Sequence, residues 1–329
     1  MIVATPCESR VDWDEFVSVT NGHPLQLWGW GDVKTAHHWT AHRILVNDGA
    51  EVIGGAQLLV RKLPGAFRRF VYIPRGPVSR MGREVDTLLA LASYVRHHLP
   101  GTVLSVEPNT REFPDIKGWR RSNRTILIPN TLVLDLTRTE SELQADMTKK
   151  TRQYIRKSQR AELDFRQITT DEELTECLRI YHETAGRAEF ALHSDAYYRD
   201  VHRNLGDASV IMAAFYEDKP VAFLWLAVSQ EVAFELYGGM NEEGQRRRAN
   251  YALKWQTILL CKQRGAKQYD MNGLLNDGVS TFKKGFASQE TMLAGTYDYP
   301  LSPLYAIWNR ALPIAKKLVR TTGKVLRRP

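Results

Sequence analysis

The chain has 329 residues, enough for two domains of ordinary size or one large one. With 43% hydrophobic and 25% charged residues its composition is globular, which excludes collagen-like and disordered classes. A net charge of +8 favours polyanionic partners such as tRNA, nucleotide phosphates or an anionic membrane face.

Cys7, Cys177 and Cys261 are far apart and show no metal-ligand spacing; so sparse a set fits a reducing compartment. The first residues lack a basic stretch followed by an apolar one, and no apolar run reaches the ~18 residues of a membrane span. A cytoplasmic protein is expected.

Apolar spacing predicts a helix around Val11–Val17, then a turn and a second helix start within His23–Lys34. Strands follow around Trp39–Val46 and Val52–Lys62, with Asn47-Asp48-Gly49 as the hairpin turn. A third strand ends in Tyr72-Ile73-Pro74-Arg75-Gly76-Pro77-Val78. A helix from about Glu84 to His98 gives way to the strand Val103–Val106, which stops at Glu107-Pro108.

The second half repeats this grammar. Asp171–Gly186 reads as helix, and strands are expected near Ser209–Tyr216, Val221–Val228 and Val232–Leu236, the last ending at Tyr237-Gly238-Gly239. A helix over Ala249–Arg264 is capped by Gly265 and leads to the strand Lys267–Met271. Equal order and near-equal spacing point to an internal duplication of one α/β domain. Between the halves, Met147–Arg160 places Arg152, Arg156 and Arg160 every fourth residue with no acid, a basic helical stripe that suits an RNA backbone or, more blandly, a solvated linker face. From Leu304 to Arg328 the pattern is an amphipathic basic helix, expected to pack on the first domain or to touch anionic lipid headgroups. The segment Asn272–Phe286 is too rich in Gly and Asn for a regular helix and is read as a bend carrying Lys283 and Lys284.

The phosphate loops, the nucleophile elbow and the histidine metal motifs are all missing from the sequence. One near-miss is informative. The GNAT acetyltransferases hold the CoA pyrophosphate on Gln/Arg-x-x-Gly-x-Gly/Ala; the corresponding place here reads Gln245-Arg246-Arg247-Arg248-Ala249-Asn250. Arg248 stands where glycine allows the backbone to approach phosphate. The topology suits GNAT while the CoA site looks spoiled, which argues for another acyl donor.

At this point the chain resembles the Fem family of tRNA-dependent peptidoglycan aminoacyltransferases (FemA, FemB and FemX types). The resemblance lies in Gln26–Lys34 with its Trp-Gly-x-x-x-Lys ending, Tyr72–Val78, Met147–Arg160, Tyr181–Arg187, Tyr237-Gly238-Gly239, Ala249–Trp255, Tyr269–Gly273 and Phe282-Lys283-Lys284-Gly285-Phe286. It implies an α/β fold of two tandem GNAT-like domains without a coiled-coil arm. Domain 1 would span 1–143 plus 296–329 and bind the precursor; domain 2 would span 144–295. It also implies transfer of an amino acid from aminoacyl-tRNA to a stem-peptide amine of lipid II or UDP-MurNAc-pentapeptide, at the inner face of the membrane. Neither cofactor nor metal is needed, because the ester is already activated, and DNA is not a partner.

The family's roles carry over as follows. Phe282 and Lys283 match the catalytic pair, with the Lys283 ammonium at the oxyanion or a nearby phosphate. Lys34 and Arg187 fall where the compact type holds the precursor's phosphates, so that cations of both halves would meet around one ligand. Glu107 is expected to face the cleft and accept the amine proton; the plainer reading is a surface acid at a strand end. Tyr237 is expected to line the acceptor channel, and Arg75 is counted with the substrate-binding residues. A tyrosine expected four places after Arg187 is absent, since Ala191 is there. The rivals are a Fem-related N-acyltransferase using an acyl-thioester on a sugar or small amine, and a non-catalytic tRNA- or nucleotide-binding protein.

Overall fold

The computed structural model describes residues 1–310 apart from Glu189, Asn276 and Ser288. Of the expected basic C-terminal helix Leu304–Arg328, Leu304 is a turn and 305–310 is helix; residues 311–328 lie outside the described residues. No helix among the described residues is long and apolar enough to cross a membrane. The chain divides into two units, each built on one sheet.

The first unit holds Met1–Glu8, His38–Leu127 and the segment from Ala294 onward. Ile2–Pro6, Thr40–Asp48, Glu51–Lys62 and Arg69–Pro74 pair antiparallel in that order. Val103–Glu107 then runs parallel to Arg69–Pro74, a pairing that requires a crossover, supplied by helix Glu84–His98. That helix buries Leu91, Ala92 and Val95 against a sheet face of Ile44, Val46, Leu58, Val71, Ile73, Leu104 and Val106. The first hairpin turn is tighter than expected. Asn47 and Asp48 still pair with Val52 and Glu51, leaving Gly49 and Ala50 as the turn, with Gly49 at φ 61°.

The second unit holds Ser9–His37 and Ile128–Leu293. Its sheet repeats the order: Asp164–Gln167, Ser209–Tyr216, Lys219–Val228 and Val232–Met240 antiparallel, then Gln268–Asp270 parallel to Val232–Met240 across helix Ala249–Gln263. Leu253, Ile258 and Cys261 of that helix enter one core with Val210, Ala222, Leu224 and Phe286. Each sheet also takes in a strand out of chain order, and in the first the two-residue strand Arg120–Arg121 lies beyond it. Val133–Asp135 pairs with Gln268–Asp270, and Tyr297–Pro300 pairs with Val103–Glu107.

The unit boundaries differ from the expected domains. Residues 9–37 and 128–143 belong to the second unit, and the first resumes at Ala294. Sequence order hid this, because the early helix Trp28–Thr35 packs on Asp195–Leu205. A Cβ on Gly29 would sit 2.1 Å from the carbonyl oxygen of Asn204, so only glycine permits that approach. Helix Asp195–Leu205, capped by Ser194, went unread in the sequence. The segment read as a bend also contains a helix, Gly278–Lys284, whose N-cap Asp277 accepts from the Ser280 N–H at 2.8 Å.

Candidate functional site

The strand Val232–Met240 connects the candidate residues of the second unit. Its side chains change from buried to partly exposed after Glu235. Three positions on it, Glu235, Tyr237 and Met240, each contact one group of functional candidates.

Tyr237 leads to Lys34. The Tyr237 hydroxyl is hydrogen-bonded to that of Tyr197, which accepts from Lys34 Nζ at 2.6 Å. The ammonium also lies 4.3 Å from the Trp30 ring centre. Tyr181, Tyr198 and Trp225 crowd around Tyr237 with centroids 5.0–5.7 Å away. Burial among these rings lowers the Lys34 pKa to about 8. It pushes Tyr197 up to about 12 and Tyr237 well above its ordinary value. His193 stacks on Tyr197 at 4.0 Å, close to the place where the expected tyrosine is missing. Lys34 is therefore a half-buried lysine held by aromatic side chains, not a freely exposed helix lysine.

Met240 leads to Arg187. The Arg187 guanidinium donates to the Met240 carbonyl and, at 3.3 Å, to Thr184 Oγ1. The Gln245 amide oxygen, in the orientation that satisfies both groups, accepts from its Nε and Nη2 at 3.2 Å. An open hollow of about 570 Å³ beside it is lined by Glu183, Gly186, Asn241, Glu242 and Glu243.

Glu235 leads to Phe282 and Lys283. Its carboxylate accepts from Lys254 Nζ at 2.7 and 3.0 Å and from the Tyr269 hydroxyl at 2.8 Å. Lys254 is 3% exposed, so this ion pair is desolvated on all sides. Burial lowers the Lys254 pKa, the Glu235 charge opposes that shift, and the nearby Lys283 charge adds to it. Lys254 Nζ lies 5.1 Å from the centre of the Phe282 ring. The Glu235 carbonyl accepts from Asn272 Nδ2 at 2.9 Å, which pins the left-handed residue Asn272 (φ 61°). The carbonyls of Asn272 and Gly273 in turn accept from Lys283 Nζ at 3.3 and 3.2 Å. An ammonium has three donors. Two are spent on these carbonyls, which leaves one for a ligand. Sequence reading missed the Glu235–Lys254–Tyr269 network because its members lie 15 or more positions apart on three elements.

Lys34 was expected in the first domain, with cations of both halves converging. The structure instead holds Lys34, Arg187 and Lys283 in the second unit. Glu107 and Arg75 lie in the first unit. Glu107 is 1% exposed, which overturns the surface reading. Its carboxylate accepts from the Ile126 and Leu127 N–H groups at 2.8 and 3.0 Å, from Thr296 Oγ1 at 2.6 Å and from the Tyr72 hydroxyl. A carboxylate so fully engaged is an anchor for two chain segments and a poor acceptor for a substrate proton. Arg75 is 2% exposed at φ 48°, with its charge near enough to lower the Tyr72 pKa against the effects of burial and Glu107. No group of His, Cys, Asp and Glu able to hold a metal is found among the described residues.

Arg248 adopts the left-handed backbone (φ 57°) at the N-cap of Ala249–Gln263, a glycine-like conformation. Its guanidinium lies 3.9 Å from the centre of the Tyr154 ring.

Residues 145–284 match the family model described as an acetyltransferase (GNAT) domain. A lipid II:glycine glycyltransferase of Staphylococcus saprophyticus is 22% identical, with 96% of this chain and 97% of the relative covered. Its Staphylococcus aureus counterpart is 21% identical over 96% of this chain and 97% of its own. Both alignments run over more positions than this chain has residues, so the relatives carry insertions absent here. The crystal structure of FemX superposes with a TM-score of 0.83 at 17% identity, covering 93% of this chain and 99% of FemX. A tandem GNAT protein from clavulanic acid biosynthesis gives 0.51 at 12% identity, over 92% of this chain and 99% of its own. The duplicated sheet order, the GNAT match over residues 145–284 and the FemX superposition give the chain a tandem GNAT fold, and along nearly its whole length it is similar to the lipid II:glycine glycyltransferases.

Proposed function

We propose that the chain moves an amino acid from aminoacyl-tRNA to an amine on the stem peptide of a peptidoglycan precursor, lipid II or its soluble UDP-linked form, and so builds an interpeptide bridge. The observation that carries this reading is Lys283, presented at the end of a short helix with one donor unspent beside Phe282. It is supported by the relatives' naming for glycyl transfer to lipid II.

In this reading an uncharged stem-peptide amine attacks the ester carbonyl. A C–N bond forms, and the carbonyl electrons move onto oxygen, where the Lys283 ammonium meets the new negative charge. Collapse breaks the C–O bond to the ribose, and the proton lost by the amine ends on the departing ribose oxygen. Lys34 and Arg187 hold phosphates of the precursor, and Tyr237 lines its channel. Arg248 speaks against CoA as donor, because it stands in the sequence where the GNAT loop has a glycine that lets the backbone approach phosphate.

The test incubates charged tRNA with lipid II or UDP-MurNAc-pentapeptide and weighs the products by mass spectrometry. A precursor heavier by one aminoacyl residue is expected. An unchanged precursor, together with thiol release from an acyl-CoA, would favour the thioester reading instead.

A further inference from the structure

We propose that the exposed face of helix Lys149–Gln159, with Arg248 and the rings of Tyr154 and Tyr251, is a docking surface for the single-stranded 3′ end of an RNA, leading to Phe282 and Lys283. This rests on the reading of the donor as an RNA ester.

The helix carries five cations and no acid, and Arg160 caps it. Thr151, Ile155 and Ser158 are buried, which turns Lys149, Lys150, Arg156, Lys157 and Arg160 outward. None of these five pairs with a carboxylate among the described residues. Lys149 and Lys150 occupy the first turn, where the helix dipole favours acids. Arg156 and Arg160 stand four apart, so like charges also oppose the helix locally. Among the described residues only Arg152 of these cations hydrogen-bonds within the unit, donating to the carbonyls of Gln144 and Met147 at 3.0 and 2.5 Å. The remaining positive charge lacks a structural purpose within the unit and is relieved by a polyanion.

The rings give this surface a direction. Tyr154 and Tyr251 meet edge-to-face at 5.0 Å, and Tyr251 and Phe282 meet in the same way at 5.0 Å. All three are partly exposed. Lys150 lies 5.6 Å and Arg248 3.9 Å from the Tyr154 ring centre. The start of the helix is fastened to the end of the Lys283 helix, since Thr148 N–H donates to the Gly285 carbonyl at 3.0 Å. A Cβ on Gly285 would lie 2.3 Å from Thr151 Oγ1, so the two elements meet without space between them. Cations interleaved with ring faces are what an unpaired strand uses, phosphates on the charges and bases on the rings. A membrane-seated helix needs an apolar face to insert. Here the outward face is Lys149, Lys150, Gln153, Arg156, Lys157 and Gln159, which favours RNA over lipid.

The experiment measures fluorescence anisotropy of an RNA microhelix ending in single-stranded CCA against the wild-type chain, the triple variant K150Q/R156Q/K157Q, Y154A and Y154F, over a range of salt. Aminoacyl transfer and precursor binding are measured in parallel. The triple variant is expected to bind at least 10-fold more weakly with a shallower salt dependence, its slope reduced by about 0.7 for each phosphate left without its cation. Tyr154→Ala is expected to lose several-fold and Tyr154→Phe to restore it, with precursor affinity unchanged throughout. Wild-type RNA affinity and KM in the triple variant overturn the surface while leaving the donor reading intact. Loss of binding to phosphatidylglycerol vesicles in that variant, with RNA binding unaffected, overturns it in favour of a membrane face. Transfer by the wild-type chain from a thioester and never from RNA overturns both proposals.

Discussion

At Lys34 one buried ammonium makes two opposite predictions about pH. Burial holds its pKa near 8, against 10.5 for an unburied lysine. Between those values the unfolded chain binds the extra proton, so this group's contribution to stability rises with pH through that window. Ligand affinity moves the other way, because a phosphate needs the charged form. Calorimetric binding of the precursor should weaken as pH passes through about 8, while Lys34→Arg, which does not titrate there, should show a nearly flat profile. A flat wild-type profile would remove Lys34 from the phosphate site. Glu107 yields a contrasting prediction. Glu107→Gln puts an amide against two backbone N–H groups and should cost about 1–3 kcal/mol in denaturant unfolding, with the pH–rate profile of transfer unchanged. Loss of the acid limb of that profile would restore Glu107 as the base. Both side chains were found in the sequence as chemistry-bearing residues at element ends. Their burial was not legible there, because it depends on Tyr197, 163 positions from Lys34, and on Thr296, 189 positions from Glu107.

A seven-residue helix carries Phe282 and Lys283, and two features hold it in place. The first is its Asp277 cap. Asp277→Ala should cost about 1 kcal/mol of stability and lower kcat more than it raises KM, as a frayed helix misplaces Lys283. An unchanged kcat would show that the helix is held by its packing alone. The second is the Glu235–Lys254 pair beneath Phe282. Lys254→Met strands a buried carboxylate and should cost about 3–5 kcal/mol, most of it recovered in Glu235→Met/Lys254→Met. A mild single-variant effect would mean that water reaches the pair. The helix escaped the sequence reading because Gly278 and the Asn-Gly-rich run before it signal a turn, and the cap at Asp277 outweighs that local preference. Lys254 escaped for a different reason. Periodicity marked a helix over Ala249–Arg264, but a lysine beside Trp255 gave no sign that an acid faced it from the neighbouring strand. Helix Glu84–His98 was readable to the residue, since its apolar spacing and bounds agree with its packing.

Over the whole molecule, the duplication was legible as a repeated order of hairpin, strand, helix and strand, and both sheets follow it. The strand that each sheet takes out of chain order was not. Val133–Asp135 precedes the second repeat yet closes its sheet, and Tyr297–Pro300 follows that repeat yet joins the first. Such pairings are set by hydrogen bonding across the sheet and leave no periodic trace in three or four residues. They have a consequence for truncation. A fragment ending at Leu127 lacks Asp298, which is wholly buried and bonded to Ser105 at 2.5 Å, Ser122 at 2.7 Å and Tyr305 at 3.0 Å. That fragment should fail to give a cooperative thermal transition, whereas joining Ala294–Arg310 through a linker should restore one. Cooperative melting of the shorter fragment would show that the added strand is dispensable.

The proposed chemistry depends most on the ammonium of Lys283 acting at the reacting ester. Single-turnover transfer from aminoacyl-tRNA to the stem peptide, compared between the wild-type chain and Lys283→Met with precursor binding followed calorimetrically, measures that directly. Transfer slower by about 10²–10³-fold, with binding unchanged, is the expected result. A variant that transfers at the wild-type rate would contradict it.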